Sequence, residues 1–127
     1  MSSSDLELIS ETQRLLDAIA ARDWATYEEL CAPDLTCFEA ETDGILVEGL
    51  PFHRYYFTLA TTGPKQTTMA DAHVRMLGEN AAVVSYVRLV QALGDDGKAR
   101  TSRFAETRVW ERREGRWLHV HFHRSGG

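Results

Sequence analysis

Arg88, Arg108 and Arg124 each stand in a stretch that reads as a β-strand with an apolar face. Side chains two apart on a strand point the same way. Arg88 therefore shares a face with Val84, Tyr86 and Val90, Arg108 with Phe104, Glu106 and Trp110, and Arg124 with Leu118, Val120 and Phe122. These faces are mainly apolar and should turn toward a core, so three successive strands send a guanidinium inward. An inward charge costs several kcal/mol unless it is paired. Glu106 is placed to neutralise one arginine and Glu39 another. A cationic cluster inside an apolar cup suits a carboxylate or phosphate, because a guanidinium fork grips a planar anion with two bonds. The plainer alternative lays each stem on apolar surface with its head in water. It suits one arginine better than three in phase.

Histidines offer the other chemistry. His53 sits among aromatics in Gly49-Leu50-Pro51-Phe52-His53-Arg54-Tyr55-Tyr56. It reads as a hydrogen-bonded structural residue or as a ligand-contacting or acid/base group at the mouth of the cup. His119, His121 and His123 alternate along the last strand, which puts all three on the face opposite Arg124. Alternating histidines can supply zinc ligands. A subunit contact or a hydrated face fits them better, with Trp117 and Arg103 near the same surface. No metal and no other cofactor is expected.

The elements that must position these groups follow from periodicity. Ser4-Asp5-Leu6-Glu7 reads as a capping box. Behind it Leu8, Ile9, Thr12, Leu15, Leu16, Ile19 and Ala20 recur at helical spacing, ending near Ala21. Asp23 caps a short second helix through Trp24, Tyr27 and Leu30, and Pro33 stops it. A strand over 35–40, a turn at Asp43-Gly44 and a third helix over 49–60 come next, closed by Gly63-Pro64. Strands are expected near 66–78, 81–92, 99–112 and 116–124, joined by hairpin turns. Helices first and hairpins after predict an α+β fold, a curved antiparallel sheet wrapped around a long N-terminal helix.

The 127 residues form one expected domain, 1–127. Such a length buries about two thirds of its unfolded surface and needs no staple. Net charge is −5, against a nucleic-acid or anionic membrane partner. Cys31 and Cys37 read as reduced, partly buried thiols. The absence of a signal-peptide pattern and of a long apolar run predicts a complete cytoplasmic protein.

Several ordered motifs resemble a known family. They are Leu46-Val47-Glu48-Gly49, Phe52-His53-Arg54-Tyr55-Tyr56-Phe57, Tyr86-Val87-Arg88-Leu89, Arg100-Thr101-Ser102 and Glu106-Thr107-Arg108-Val109-Trp110. Gly115-Arg116-Trp117 and Val120-His121-Phe122-His123-Arg124-Ser125-Gly126 complete the set. Together, from about Glu11 to Gly126, they resemble the association (hub) domain of calcium/calmodulin-dependent protein kinase II. The resemblance implies an NTF2-like (cystatin-like) cone, related to SnoaL-like proteins. It implies a homodimer or larger ring and an inner pocket that binds small carboxylic acids. Carried over by motif, that pocket is His53, Arg88, Arg108 and Arg124, with Glu39 and Glu106 as charge partners. The 58–70 segment and the loop at Gly94-Asp95-Asp96-Gly97 match poorly, which leaves the assembly size open.

Three functions follow. The first is a non-catalytic, self-associating module, without a kinase domain or calmodulin-binding segment, whose pocket takes a small organic anion. The second is an NTF2-like isomerase, dehydratase or hydrolase using His53, Glu39 or Glu106 as acid/base, with arginines stabilising an oxyanion. The third is a structural adaptor whose pocket is a relic.

Overall fold

The computed structural model describes residues 2–59 and 63–126. The chain runs through α1 (Ser3–Ala21), α2 (Trp24–Leu30), β1 (Cys31–Phe38), β2 (Val47–Glu48) and α3 (Pro51–Phe57). Four long strands follow: β3 (Lys65–Met76), β4 (Ala81–Leu93), β5 (Ala99–Arg113) and β6 (Arg116–Gly126). This is the α+β order that the sequence predicts. The end of the expected third helix, at Ala60, lies outside the described residues.

Helix α1 is capped by Ser2, not Ser4: the Ser2 hydroxyl accepts the Asp5 amide at 3.1 Å. Ser4 lies within the first turn. The helix buries Leu8, Thr12, Leu15, Leu16 and Ala18. Thr12 is tolerated there because its hydroxyl donates to the Leu8 carbonyl at 2.7 Å. Asp23 caps α2 as expected, accepting the Thr26 amide at 3.2 Å. Extended backbone begins at once with Cys31, so Pro33 lies inside β1 and does not stop the helix. Helix α3 starts at Pro51, whose fixed φ and missing amide suit a first helical position. Gly49, at φ 94°, stands outside it.

The six strands form one sheet in the order β2-β1-β6-β5-β4-β3. Neighbours are antiparallel except β1, which runs parallel to β6. Two irregularities shape the sheet. One falls in β3 between Ala70 and His73, where Asp71 takes φ 55°. The other falls in β6, where Trp110 pairs with His119 but Val109 pairs with His121, leaving Val120 as an extra residue. Bulges of this kind bend a strand and increase its twist. Helix α1 packs across β3 and β4. Its leucines join Val84, Tyr86, Trp110 and Phe122 in the core. Each fully buried leucine stabilises by about 1.5–3 kcal/mol. No helix among the described residues is long and apolar enough to cross a membrane.

Candidate functional site

The hairpins set the inward residues of β4, β5 and β6 side by side. Arg88 faces Phe104 across the ladder, Tyr86 faces Glu106, and Val84 faces Arg108. On the other flank Glu106 faces Arg124 and Arg108 faces Phe122. Register thus interleaves three arginines with one glutamate and two phenylalanines. All three arginines line one cavity of about 500 Å³, together with His53, Glu39, Glu41, Tyr27, Phe104 and Phe122.

The arginines are not equivalent. Arg108 is 2% exposed, and all three of its nitrogens are engaged. Its Nε donates to Tyr86 Oη at 2.8 Å, one terminal nitrogen donates to Glu106 Oε1 at 3.1 Å, and the other meets His119 Nε2 at 3.3 Å. The guanidinium also lies 4.5 Å from the Phe122 ring centroid. Tyr86 in turn donates to Glu106 Oε1 at 2.5 Å. This is a nearly closed polar network within the core. Burial alone would raise the Glu106 carboxyl, but Arg108 and Arg88 hold it below the ordinary carboxylate range.

Arg88 is held loosely. Its Nε lies 3.1 Å from Glu106 Oε2, an ion pair, yet the alignment makes no hydrogen bond and both atoms are buried without one. Among the described residues its terminal nitrogens have no protein partner. The head lies 4.8 Å from the Phe104 centroid. Arg124 approaches the same ring at 5.1 Å. The two guanidiniums therefore converge on one aromatic ring in the cavity lining.

Arg124 pairs with Glu41, while Glu39, expected to neutralise one of the arginines, forms no ion pair among the described residues. After β1 the chain tightens into a single 3-10 turn, Ala40–Thr42, which carries Glu41 to the arginine. Glu39 remains close as a second carboxylate. Burial first, and then the neighbouring Glu41, push its carboxyl up to about 7. At Glu41 burial is outweighed by the hydrogen bond from Arg124, which holds the carboxyl at about 2.

His53 projects from α3 into the cavity wall, 5% exposed, with its ring 5.7 Å from that of Phe122 and 6.2 Å from that of Tyr27. Its Nε2 meets Cys37 Sγ at 3.4 Å. Burial and then Arg108 push the imidazole down to about 4, so it is neutral near pH 7. The Cys37 thiol is pushed up to about 12, by burial first and then by Glu39.

The expected histidine face is corrected. His119 is fully buried between Arg108 and Cys31, whereas His121 meets Thr36 Oγ1 at 2.7 Å and His123 is exposed. The extra residue Val120 resets the alternation, turning His119 to the interior on the same side as Phe122. Trp117, expected near that surface, is buried under the Arg112 guanidinium. Sequence reasoning also missed Glu41 and Cys37 as neighbours of the site. It named Tyr86 only as part of an apolar face. The short spacing from Glu39 to Glu41 was the available signal for the first of these.

Comparison with known proteins agrees with this architecture. Residues 4–127 match the family model described as the calcium/calmodulin dependent protein kinase II association domain. The calcium/calmodulin-dependent protein kinase type II of Caenorhabditis elegans is 45% identical over 125 residues, covering 98% of this chain but 17% of its own length. This chain thus spans about a sixth of that curated relative. The hub homology domain of Chlamydomonas reinhardtii superposes with a TM-score of 0.92 at 48% identity, covering 98% of this chain and 99% of that one. The C. elegans association domain gives 0.93 at 45% identity, with 97% and 95% covered. An NTF2-like protein of Salmonella enterica, 23% identical with a TM-score of 0.77 over 96% of this chain and 89% of that one, shares the fold. A cone of NTF2-like fold, matched over nearly its whole length in both sequence and structure, places this chain in the calcium/calmodulin-dependent protein kinase II association (hub) domain family.

Proposed function

We propose that this chain is a self-associating, non-catalytic module that holds a small carboxylate between Arg88 and Arg124. The observation that carries this reading is the Arg88 guanidinium. It is nearly buried, unaligned with its one acidic neighbour, and open at its terminal nitrogens to the cavity. Those terminal nitrogens are charged donors that no described protein group takes up, and an incoming carboxylate would accept from them in charge-assisted hydrogen bonds. Phe104 supplies an apolar floor for a short carbon chain, and Arg124 supplies a second cationic edge. In this reading His53 contacts the ligand as a neutral ring, Arg108 anchors the wall, and Glu39 and Glu106 balance charge.

Self-association rests on family membership, since the relatives are named association or hub domains. Light scattering should find a homodimer or a larger ring, and a monomer at micromolar concentration would overturn that part. Calorimetry with a panel of short-chain acids tests the pocket. Saturable binding is expected, and no heat with any acid would remove the claim.

One feature favours acid–base chemistry: burial, and then Glu41, push the Glu39 carboxyl up to about 7 within the cavity. Against it, Glu106 is held ionised by two arginines and is a weak base. Turnover of a screened substrate, lost in Glu39→Gln and His53→Ala, would promote the enzyme reading.

A further inference from the structure

The cavity wall holds a group of side chains whose mutual closeness anion binding does not require. Cys37, Glu39 and His53 come from the end of β1, the residue after Phe38 and the middle of α3. Their ligating atoms all lie within 4.8 Å of one another. Among the described residues no other His, Cys, Asp or Glu set meets that spacing. We propose that Cys37 Sγ, the Glu39 carboxylate and His53 Nε2 form a three-ligand site for a zinc-type divalent cation, with its fourth position open to the cavity.

Geometry is the main support. Zinc bonds sulfur at about 2.3 Å and imidazole nitrogen at about 2.0–2.1 Å, so tetrahedral ligation separates those two donors by about 3.5 Å. Cys37 Sγ and His53 Nε2 already stand 3.4 Å apart. The sulfur sits on a strand fixed on both sides, by Val47 of β2 and Phe122 of β6. The imidazole is wedged among Tyr27, Phe52 and Phe122. Two ligands are thus preset, and only the Glu39 side chain must close.

The donor set also has the chemistry for it. One thiolate, one imidazole and one carboxylate suit zinc or cobalt better than calcium or magnesium, which prefer all-oxygen shells. Glu39 and His53 line the cavity, which gives the ion a path to a sulfur that has no exposure of its own. Arg108 and Arg124 oppose a nearby cation. Glu41 and Glu106, already paired with them, temper that repulsion. On binding, the aquated cation exchanges three of its waters for the sulfur, carboxylate and imidazole donors, and Cys37 releases its proton to water together with the fraction that Glu39 holds near neutral pH.

Titration of the full chain with cobalt(II), after chelator treatment, tests the site without any organic acid present. The expected result is one equivalent of cobalt per chain, tetrahedral visible bands and a thiolate-to-cobalt charge-transfer band. Cys37→Ala should abolish the charge-transfer band while Cys31→Ala keeps it. Glu39→Gln, which preserves shape but removes a ligand's charge, should weaken binding at least as much as loss of an outer-shell partner does, by about tenfold or more. Circular dichroism on each variant separates loss of ligand from loss of fold. No charge-transfer band in the folded wild-type chain, or one that survives Cys37→Ala, overturns the proposal. Acid binding by the metal-free protein is a separate measurement and can succeed or fail independently.

Discussion

The inward surface of the sheet has two ends that use one residue type in opposite ways. At the closed end Arg108 touches the same cavity but is held among Tyr86, Glu106, His119 and Phe122, with every nitrogen engaged. At the open end Arg88 and Arg124 share the Phe104 ring and face a cavity. The first arginine is part of the core, because its charge is answered entirely by protein groups. The second pair keeps donors for something else. An inward arginine is therefore not evidence of a ligand until its hydrogen bonds have been accounted for.

The comparison breaks most sharply through stability. Arg108→Met leaves Glu106 and Tyr86 buried beside a lost partner, and should cost about 3–5 kcal/mol in urea denaturation. Arg88→Met should cost about 1 kcal/mol or less, because Glu106 retains Arg108 and Tyr86. Equal losses for the two would erase the distinction between the ends.

Affinity should reverse that order. Arg88→Met should weaken acid binding by about 1.5–3 kcal/mol, the worth of hydrogen bonds to a charged group. Calorimetry on the folded variant reads this directly, and an unchanged Kd would assign the ligand elsewhere.

The closed end should also announce itself through pH. Burial and Arg108 hold the His119 imidazole well below its ordinary 6.5, so the folded chain keeps it neutral where the unfolded chain takes up a proton. Stability should therefore fall as pH drops below about 6.5, with a slope of at most about 1.4 kcal/mol per pH unit from this group. Glu106 acts lower down. Its depressed carboxyl contributes stability above the unfolded value, and that contribution disappears only as pH falls through the folded one. His119→Gln should reduce the first phase, leaving the part contributed by His53, which is also held low in the fold, and should leave the second unchanged. An unchanged first phase would mean that another group titrates there.

The smallest expected effect sharpens the open end. Glu41→Gln removes a partly exposed ion pair, worth about 1 kcal/mol or less in stability. It should tighten acid binding a few-fold, because Arg124 gains a free donor. Weaker binding would show that Glu41 helps to orient Arg124 and does not compete with the ligand.

Much of this was legible in one dimension. Alternation on β4 and β5 found Arg88 and Arg108 together with Tyr86, Glu106 and Phe104, because those strands pair without interruption from Ala81 to Leu93. The helix faces and the Asp23 cap were equally local. Alternation failed on β6, where a single extra residue moved His119 from the outer face to the core. A bulge is settled by how a strand fits its neighbour, so no period in the strand itself announces it.

The sequence alone determined which strands carry inward cations, since side-chain direction on an extended chain repeats every two residues. Only the tertiary structure decided which of those cations is already satisfied. It paired Arg124 with Glu41, satisfied Arg108, left the Arg88 terminal nitrogens without a described protein partner, and set Cys37 against His53. Each of those outcomes depends on distances between residues far apart in the chain. Such distances are fixed by packing and register, which local periodicity does not encode.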